Sequence, residues 1–306
     1  MLLKPPPIVP KNWVRAETLV KTTSNRQSSR KLQLKKTGII LRQGSEEPGE
    51  IATELRDWFA QKAIKVVIDE VQPGLDLLII LGGDGTLLHV AEQASYYDIP
   101  VLGINLGDLG FLTEVGREDR YEALNAILNG EFTIEKRMLL KARLLSGSHK
   151  SAWRYALNDV VISKGNIDRL IQLKAWADDD YITTYRADGL IFATPTGTTA
   201  YNLSAGGPIV HPSLDSILVT PICPFMLDSR PVLLSPKTRL ITRLIAGQGR
   251  DIKVMVDGQL AWDIQGNDTL EIRASDNHLK LIGSPKKGYF DILRNKLNWG
   301  SSTPGK

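Results

Sequence analysis

The chain has 306 residues, enough for about two domains and a sizeable core. Its apolar and charged fractions, 42% and 24%, are those of a soluble globular protein, and no apolar run approaches the ~18–20 residues of a membrane span. Nine Lys/Arg and one Glu crowd into residues 1–36, so residues 37–306 carry −4 against +4 for the whole chain, and a mildly acidic folded part argues against nucleic acid as a partner.

Residues 1–36 combine Pro5, Pro6, Pro7 and Pro10 with the polar stretch KTTSNRQSSR, and are expected to form a basic, flexible arm. The start MLLKPPPIVP is too proline-broken for a signal-peptide core. A cytoplasmic protein is the expectation, although an acid-poor, Ser/Arg-rich arm is also the composition of an organelle transit peptide. One cysteine, Cys223, allows no internal disulfide and no cysteine zinc site. The first strand is expected over 38–41. A helix over 48–62 turns Ile51, Leu55, Trp58 and Phe59 inward. Strands follow over 64–68 and 75–81.

The run over 77–81 is apolar throughout, as in a strand buried on both faces of a parallel sheet. It stops at Gly82-Gly83-Asp84-Gly85, with Thr86 as the expected N-cap of a helix reaching residue 95. Glycines let a ligand approach without meeting a Cβ, and a helix N-terminus favours phosphate. A carboxylate in such a cradle repels phosphate. Asp84 is therefore either a general base or metal holder beside a phosphoryl group, or a turn residue; the residues alone leave both open. His89 lies one helical turn further on, facing the loop or the solvent. A strand over 100–104 ends in a second glycine loop, Gly107-Asp108-Leu109-Gly110-Phe111, and a helix runs from about 118 to 129. This alternation predicts a doubly wound α/β domain over 37–136, with ligands at the carboxyl ends of the strands.

From about residue 137 the pattern changes to short strand-like runs: 138–145, 154–163, 169–177, 181–185, 189–194, 216–220, 231–235, 238–245, 252–256 and 268–273. They predict a β-rich, sandwich-like domain over 137–284. Asp178-Asp179-Asp180 reads as a hairpin tip. A C-terminal segment, 285–306, carries an amphipathic helix over 289–299, with Phe290, Leu293 and Leu297 in register to pack back on the first domain. Within the second domain, Asn158-Asp159 can bond hydroxyls and an amide, and an Asp accepts two hydrogen bonds from a ribose diol. The stretch ATPTGTTAYNLSAGGP, residues 193–208, is dense in small hydroxyl residues and glycine. Each of these also has a structural reading, as a strand end or a glycine loop. There is no G-x-x-x-x-G-K-[ST], no G-x-S-x-G elbow at Ser204, no third glycine for a dinucleotide fingerprint, and no ligand spacing among the four histidines.

Taken together, Gly82-Gly83-Asp84-Gly85-Thr86, Gly107-Asp108-Leu109-Gly110-Phe111, Asn158-Asp159, Arg186-Ala187-Asp188-Gly189, the 194–201 stretch TPTGTTAY and Gly206-Gly207-Pro208 resemble the NAD kinase family in order and spacing, over about residues 37–299. Diacylglycerol kinases and phosphofructokinases share the first motif and lack the TPTGTTAYNLSAGGP stretch. The resemblance implies a first domain of the phosphofructokinase and diacylglycerol-kinase type, an all-β second domain, and phosphorylation of the adenosine 2′-hydroxyl of NAD by ATP with Mg²⁺. It implies Asp84 as the base, and Gly82, Gly83, Gly85 and Thr86 at the phosphates, with Phe111 from the second loop among the ligand contacts. Asn158 and Asp159 would hold NAD. Arg186 and Asp188 would lie by the nicotinamide half. Thr199, Ala200, Tyr201 and Ser204 would line the adenine pocket, and His89, Arg169 and Gln259 would supply polar contacts. No protein metal site, nucleic acid or membrane is implied; a homodimer or homotetramer with a site completed by the neighbouring subunit is. Family members more often carry Glu at Asp159 and His at Phe225. The alternatives are a non-catalytic nucleotide-binding regulator on the same fold, against which the carboxylate of Asp84 favours the enzyme, and a related GGDGT kinase of the diacylglycerol kinase type.

Overall fold

The computed structural model describes residues 27–28, 32–44, 46–107, 110–165, 169–226, 229–245 and 251–299. The basic arm falls outside them, apart from 27–28 and 32–36. The first part comprises β1 (Gln27–Ser28), β2 (Lys36–Leu41), α1 (Glu47–Ala60), β3 (Lys65–Ile68), β4 (Leu77–Leu81), α2 (Asp84–Tyr96), β5 (Pro100–Asn105), β6 (Val115–Gly116) and α3 (Arg120–Asn129). β3, β2, β4 and β5 lie side by side and parallel. Both faces of this sheet are covered. Leu77, Ile79 and Leu81 pack with Ile51, Leu55 and Phe59 of α1 and Leu124 and Ile127 of α3. Leu78 and Ile80 pack with Leu87, Val90 and Ala91 of α2. That two-sided burial is why β4 is apolar at every position. The chain leaves β2 towards β3 and returns for β4 on the other side, so the strand order reverses between β2 and β4. A crevice opens there, at the carboxyl ends, where Arg42 and Gly82 follow their strands.

The second part holds β7 (Thr133–Ser146), β8 (His149–Lys150), β9 (Arg154–Ala156), β10 (Asp159–Lys164), β11 (Ile171–Ala177), β12 (Asp180–Ala187), β13 (Gly189–Ala193), α4 (Tyr201–Ser204), β14 (Ile217–Ile222), β15 (Val232–Leu234), β16 (Leu240–Leu244), β17 (Ile252–Val256), β18 (Gln259–Asp263), β19 (Thr269–Ile282) and α5 (Tyr289–Leu297). One sheet runs β15-β14-β13-β10-β17-β18. It packs face to face on β7, β11, β16 and β19 through Val160, Ile162, Leu190, Phe192 and Val219 on one side and Leu140, Leu173, Leu240 and Ile272 on the other. This is the predicted sandwich.

β19 joins the two parts. It pairs antiparallel with β7 along its whole length. On its other edge residues 269–272 pair with β16, and residues 280–282 pair parallel with β5. The second sandwich sheet is thus continuous with the α/β sheet. The sequence pattern shows this strand only to residue 273, because a bulge between Ala274 and His278 breaks its alternation. It also omits β18, the partner of β17. The tip at Asp178 is a hairpin between β11 and β12 with φ of 54° at Asp178. α5 packs back on the first part. Lys286, just before it, pairs with Asp119 and Glu122 at 2.8 Å each. The buried face of α5 is Ile292 and Leu293, whereas Phe290, expected inward, is 56% exposed.

Glu271 of β19 is fully buried and receives Arg143 of β7 at 2.7 Å, Arg239 beside β16 at 2.9 Å and Arg273 at 2.6 Å. Burial pushes its pKa up, and the three guanidiniums outweigh that and hold it at about 2. A depressed carboxylate adds stability above its ordinary pKa of 4.5 and loses it as the pH falls towards 2. Glu271→Gln should cost about 2–3 kcal/mol in denaturant titration at pH 7, below the value for a wholly buried pair because the arginines reach water, and should flatten the acid limb of the stability curve.

Candidate functional site

The first loop begins where β4 runs out of apolar residues. Gly82 N–H donates to Ile104 O, and Gly83 sits in an extended conformation and caps α2. Thr86 is not the cap. It lies inside the first turn, its N–H donating to Gly83 O, and its hydroxyl occupies the space where a Cβ on Gly82 would stand, 2.5 Å away. The extended backbone of Gly83 starts the helix earlier than the side-chain signal suggests. Asp84 therefore belongs to the helix.

The Asp84 carboxylate reaches across the crevice to the second loop. Oδ1 accepts from Leu112 N–H at 3.1 Å, Thr113 N–H at 3.0 Å and the Thr113 hydroxyl at 2.9 Å. Oδ2 accepts from Phe111 N–H, at 2.8 Å, and from no other described residue. An ionised carboxylate offers about four lone-pair directions, so Oδ1 is saturated and Oδ2 keeps one free. Buried Asn105 braces the arrangement: its amide donates to the Thr113 hydroxyl at 2.7 Å and its oxygen accepts from Gly107 N–H at 2.8 Å. A cleft of about 270 Å³ opens against this carboxylate, between Arg42, the first loop, Asn105–Gly107, Gly110 and Lys296. Asp108 and Leu109 lie outside the described residues.

The glycines sort into two kinds. A Cβ on Gly110 would meet Asp84 Oδ1 at 1.9 Å, so this glycine makes room for the carboxylate. Cβ atoms on Gly83 and Gly85 would meet nothing within 4 Å, and neither residue has positive φ. Gly83 serves as the N-cap of α2, whereas Gly85 sits inside the first turn with open space in front of it.

A second cluster forms where β10 begins. Asp159 is 5% exposed, and burial, then the neighbouring Asp257, raise its carboxyl to about 7. Asp257 accepts from the N–H groups of Leu157, Asn158 and Asp159 at 2.7, 2.8 and 3.0 Å. Burial nonetheless lifts it to about 6. Its φ of 47°, followed by Gly258 at 77°, makes the tight turn of the β17–β18 hairpin. Asn158 lends its backbone to the 194–201 loop: Thr194 N–H donates to its carbonyl, and Gly197 lies so close that a Cβ would come within 2.1 Å of that oxygen. Buried Asn202 braces the rest of the loop, donating to Thr198 O and Pro208 O and accepting from the Thr220 hydroxyl.

The remaining predicted residues lie on the strands, the loops and α4 of the second part, apart from His89 on α2. Burial, first of all, raises the phenol of Tyr201, and the carboxylates of Asp159 and Asp188 add to it. Tyr201 and Ser204 are exposed on α4, with Thr199 and Ala200 half-buried before it. Asp188 pairs with Lys164 at 2.6 Å. Arg186 stacks on the ring of Phe225 at 4.9 Å. Arg169 is exposed just before β11. Gln259 and His89 bond each other, tying the β17–β18 hairpin to α2. Leu157, next to Asn158, packs in one buried cluster with Leu87 and Leu112, which flank Asp84 and its loop. The sequence reading missed Asp257, Asn105, Thr113, Arg42 and Lys296. Only Asp257 carries a local signal, the Asp-Gly dipeptide of a hairpin turn.

A glycine loop and helix N-terminus at the switch point of a doubly wound sheet, with a clamped carboxylate beside them and a polar cluster on an adjoining β-sandwich, fit a nucleotide-binding phosphotransferase. Comparison with known proteins agrees. Residues 15–132 match the ATP-NAD kinase N-terminal domain and residues 157–284 the ATP-NAD kinase C-terminal domain. The NAD kinase of Syntrophotalea carbinolica is 41% identical over 284 residues, 87% of this chain and 99% of that one. That of Solibacter usitatus is 41% identical over 283 residues, 87% and 98% of the two chains. Among solved structures, yeast NADH kinase complexed with NADH superposes with a TM-score of 0.79 at 27% identity, over 94% of this chain and 95% of that one. The fold is also that of an NAD kinase from Archaeoglobus fulgidus in complex with ATP, with a TM-score of 0.68 at 23% identity, over 86% and 98%. The chain belongs to the ATP-NAD kinase family.

Two glycine substitutions separate the two kinds. Gly110→Ala should displace the Asp84 carboxylate and lower kcat by ~10²-fold or more, the scale of a mispositioned catalytic group. Gly85→Ala should leave thermal stability unchanged or slightly raised and weaken ATP binding. Steady-state kinetics and thermal melts on both variants check this; equal behaviour would mean that the carboxylate does not need the space Gly110 leaves.

Proposed function

We propose that the protein transfers the γ-phosphoryl group of ATP to the adenosine 2′-hydroxyl of NAD, giving NADP and ADP. The observation that carries this is the Asp84 carboxylate, held by four donors beside a phosphate cradle with one lone pair left on Oδ2. In the reaction Oδ2 takes the 2′-hydroxyl proton as that oxygen bonds to the γ-phosphorus. The bond from the γ-phosphorus to the β–γ bridging oxygen breaks, and ADP leaves with that electron pair. The N-terminus of α2 and the loop backbone hold the phosphates in line. Asn158 and Asp159 orient NAD, with Tyr201, Thr199, Ala200 and Ser204 around its adenine and Arg186 and Asp188 towards its nicotinamide.

Among the described residues no three His, Cys, Asp or Glu side chains gather as a metal site. Mg²⁺ would arrive on the phosphates of ATP and supply charge neutralisation there, which leaves the free lone pair of Asp84 to the proton. The exposed Phe225 and Met226, beside Arg186, are apolar surface that a second copy would cover, in keeping with a homodimer or homotetramer that shares its sites. No helix among the described residues is long and apolar enough to cross a membrane. The reaction is tested by following NADP formation from NAD with ATP and Mg²⁺, alongside NADH as a rival acceptor. Absence of 2′-phosphorylated product with either would refute the proposed reaction.

Asp159 gives a pH signature. Its raised pKa means that the free protein holds a proton there below about 7. That group stabilises the fold at low pH and ceases to as the pH rises through 7. A ribose diol donates to the ionised form, so NAD affinity should rise from pH 6 to 8, steeply below 7 and level above, with close to one proton released on binding at pH 6. Asp159→Asn should abolish the slope and weaken NAD by about 1.5–3 kcal/mol, leaving ATP affinity nearly unchanged. Calorimetry in two buffers of different ionisation enthalpy measures both. A pH-independent affinity in the parent protein would exclude Asp159 as the acceptor.

A further inference from the structure

The cleft beside Asp84 has a wall that the nucleotide motifs do not provide. Arg42 follows β2 and Lys296 comes from α5, more than two hundred residues away, yet both line the cleft with Gly82, Gly83, Asp84 and Asn105. α5 is held in place from both ends of its approach. Lys286 pairs with Asp119 and Glu122, the Tyr289 ring packs on His211 at 4.8 Å, and Ile292 and Leu293 are buried. Lys296 is four residues past Ile292 and three past Leu293, so it leaves the helix on the face that meets the protein. A lysine in the last turn of a helix also has a bland purpose, complementing the helix dipole. Arg294 serves that purpose already, and it pairs with Asp291. Neither Lys296 nor Arg42 has a carboxylate partner among the described residues. Asp84 is the sole carboxylate among the described lining residues.

We propose that Lys296 and Arg42 bind the phosphate chain of the triphosphate donor, so that the C-terminal helix forms one wall of the donor site. Two unpaired cations face the glycine loop across a cleft whose carboxylate is occupied by backbone donors. The charge, reach and shape suit a chain of phosphates, and they do nothing for the sugar or base. This rests on the kinase reading above and adds the donor-binding residues to it. Both cations reach water, so their contribution is screened by salt.

The test compares Lys296→Ala, Arg42→Ala, Lys296→Arg and, as a control for the helix dipole, Arg294→Ala. Lys296→Ala and Arg42→Ala should each raise KM for ATP about tenfold, the scale of one charge-assisted phosphate contact, with KM for NAD and kcat changed far less. Lys296→Arg should restore most of the loss, and Arg294→Ala should show none. Calorimetric binding of inorganic tripolyphosphate should weaken in the same two alanine variants and lose part of its salt dependence. An unchanged KM for ATP and unchanged tripolyphosphate affinity in Lys296→Ala would overturn the inference, as would an equal loss in Arg294→Ala. If the parent protein made no NADP, the kinase reading would fall while the tripolyphosphate titration still decided this one.

Discussion

The structure depends on how a negative charge is kept at the N-terminus of a helix beside a glycine loop. Asp84 sits in the first turn of α2, where backbone N–H groups are short of partners and phosphate is favoured. Left to itself the carboxylate would take that place. The second loop prevents this by offering it three N–H groups and a hydroxyl from the opposite wall. Gly110 leaves the room, and Asn105 sets the orientation of the Thr113 hydroxyl. The first turn of α2 stays open, and the carboxylate is turned to its edge.

Packing brings the second cluster to this point. Leu157 fills the same buried cluster as Leu87 and Leu112, so the start of β10 is seated against the helix and loop that hold Asp84. Asp257 then fixes the backbone of 157–159 through three N–H groups. β19 carries the load between the two parts, pairing with β16 at one end and β5 at the other. A sheet that runs through both parts has little freedom to hinge at that edge, and the buried Glu271 with its three arginines locks the strands on either side.

Much of this was legible in the sequence where one residue type had one physical purpose. The unbroken apolar run of β4 announced a two-sided parallel strand, and the glycines after it announced the turn into α2. The alternation after residue 137 announced a sandwich. What escaped were features made by pairing across long separations. β19 beyond residue 273 hides behind a bulge and a polar stretch, and nothing local says that its end joins a parallel sheet. Asp257 reads as a turn residue, and its acceptor role exists only because β17 lies beside β10. Lys296 reads as a dipole-complementing lysine until α5 is folded back. The start of α2 was misplaced because Thr86 is a strong side-chain cap signal, whereas Gly83 caps by backbone conformation alone.

The central claim is that the clamped Asp84 carboxylate accepts the proton in phosphoryl transfer. Asp84→Asn tests it most directly. Its amide oxygen can keep the three contacts of Oδ1, and its NH₂ then faces Phe111 N–H, so one hydrogen bond is lost and the fold should survive with a Tm drop of a few degrees. The account predicts a kcat lower by about 10²–10⁴-fold, with NAD and ATP affinity retained or tightened. A near-normal kcat in a folded Asp84→Asn protein would contradict it and reduce the loop to a binding turn.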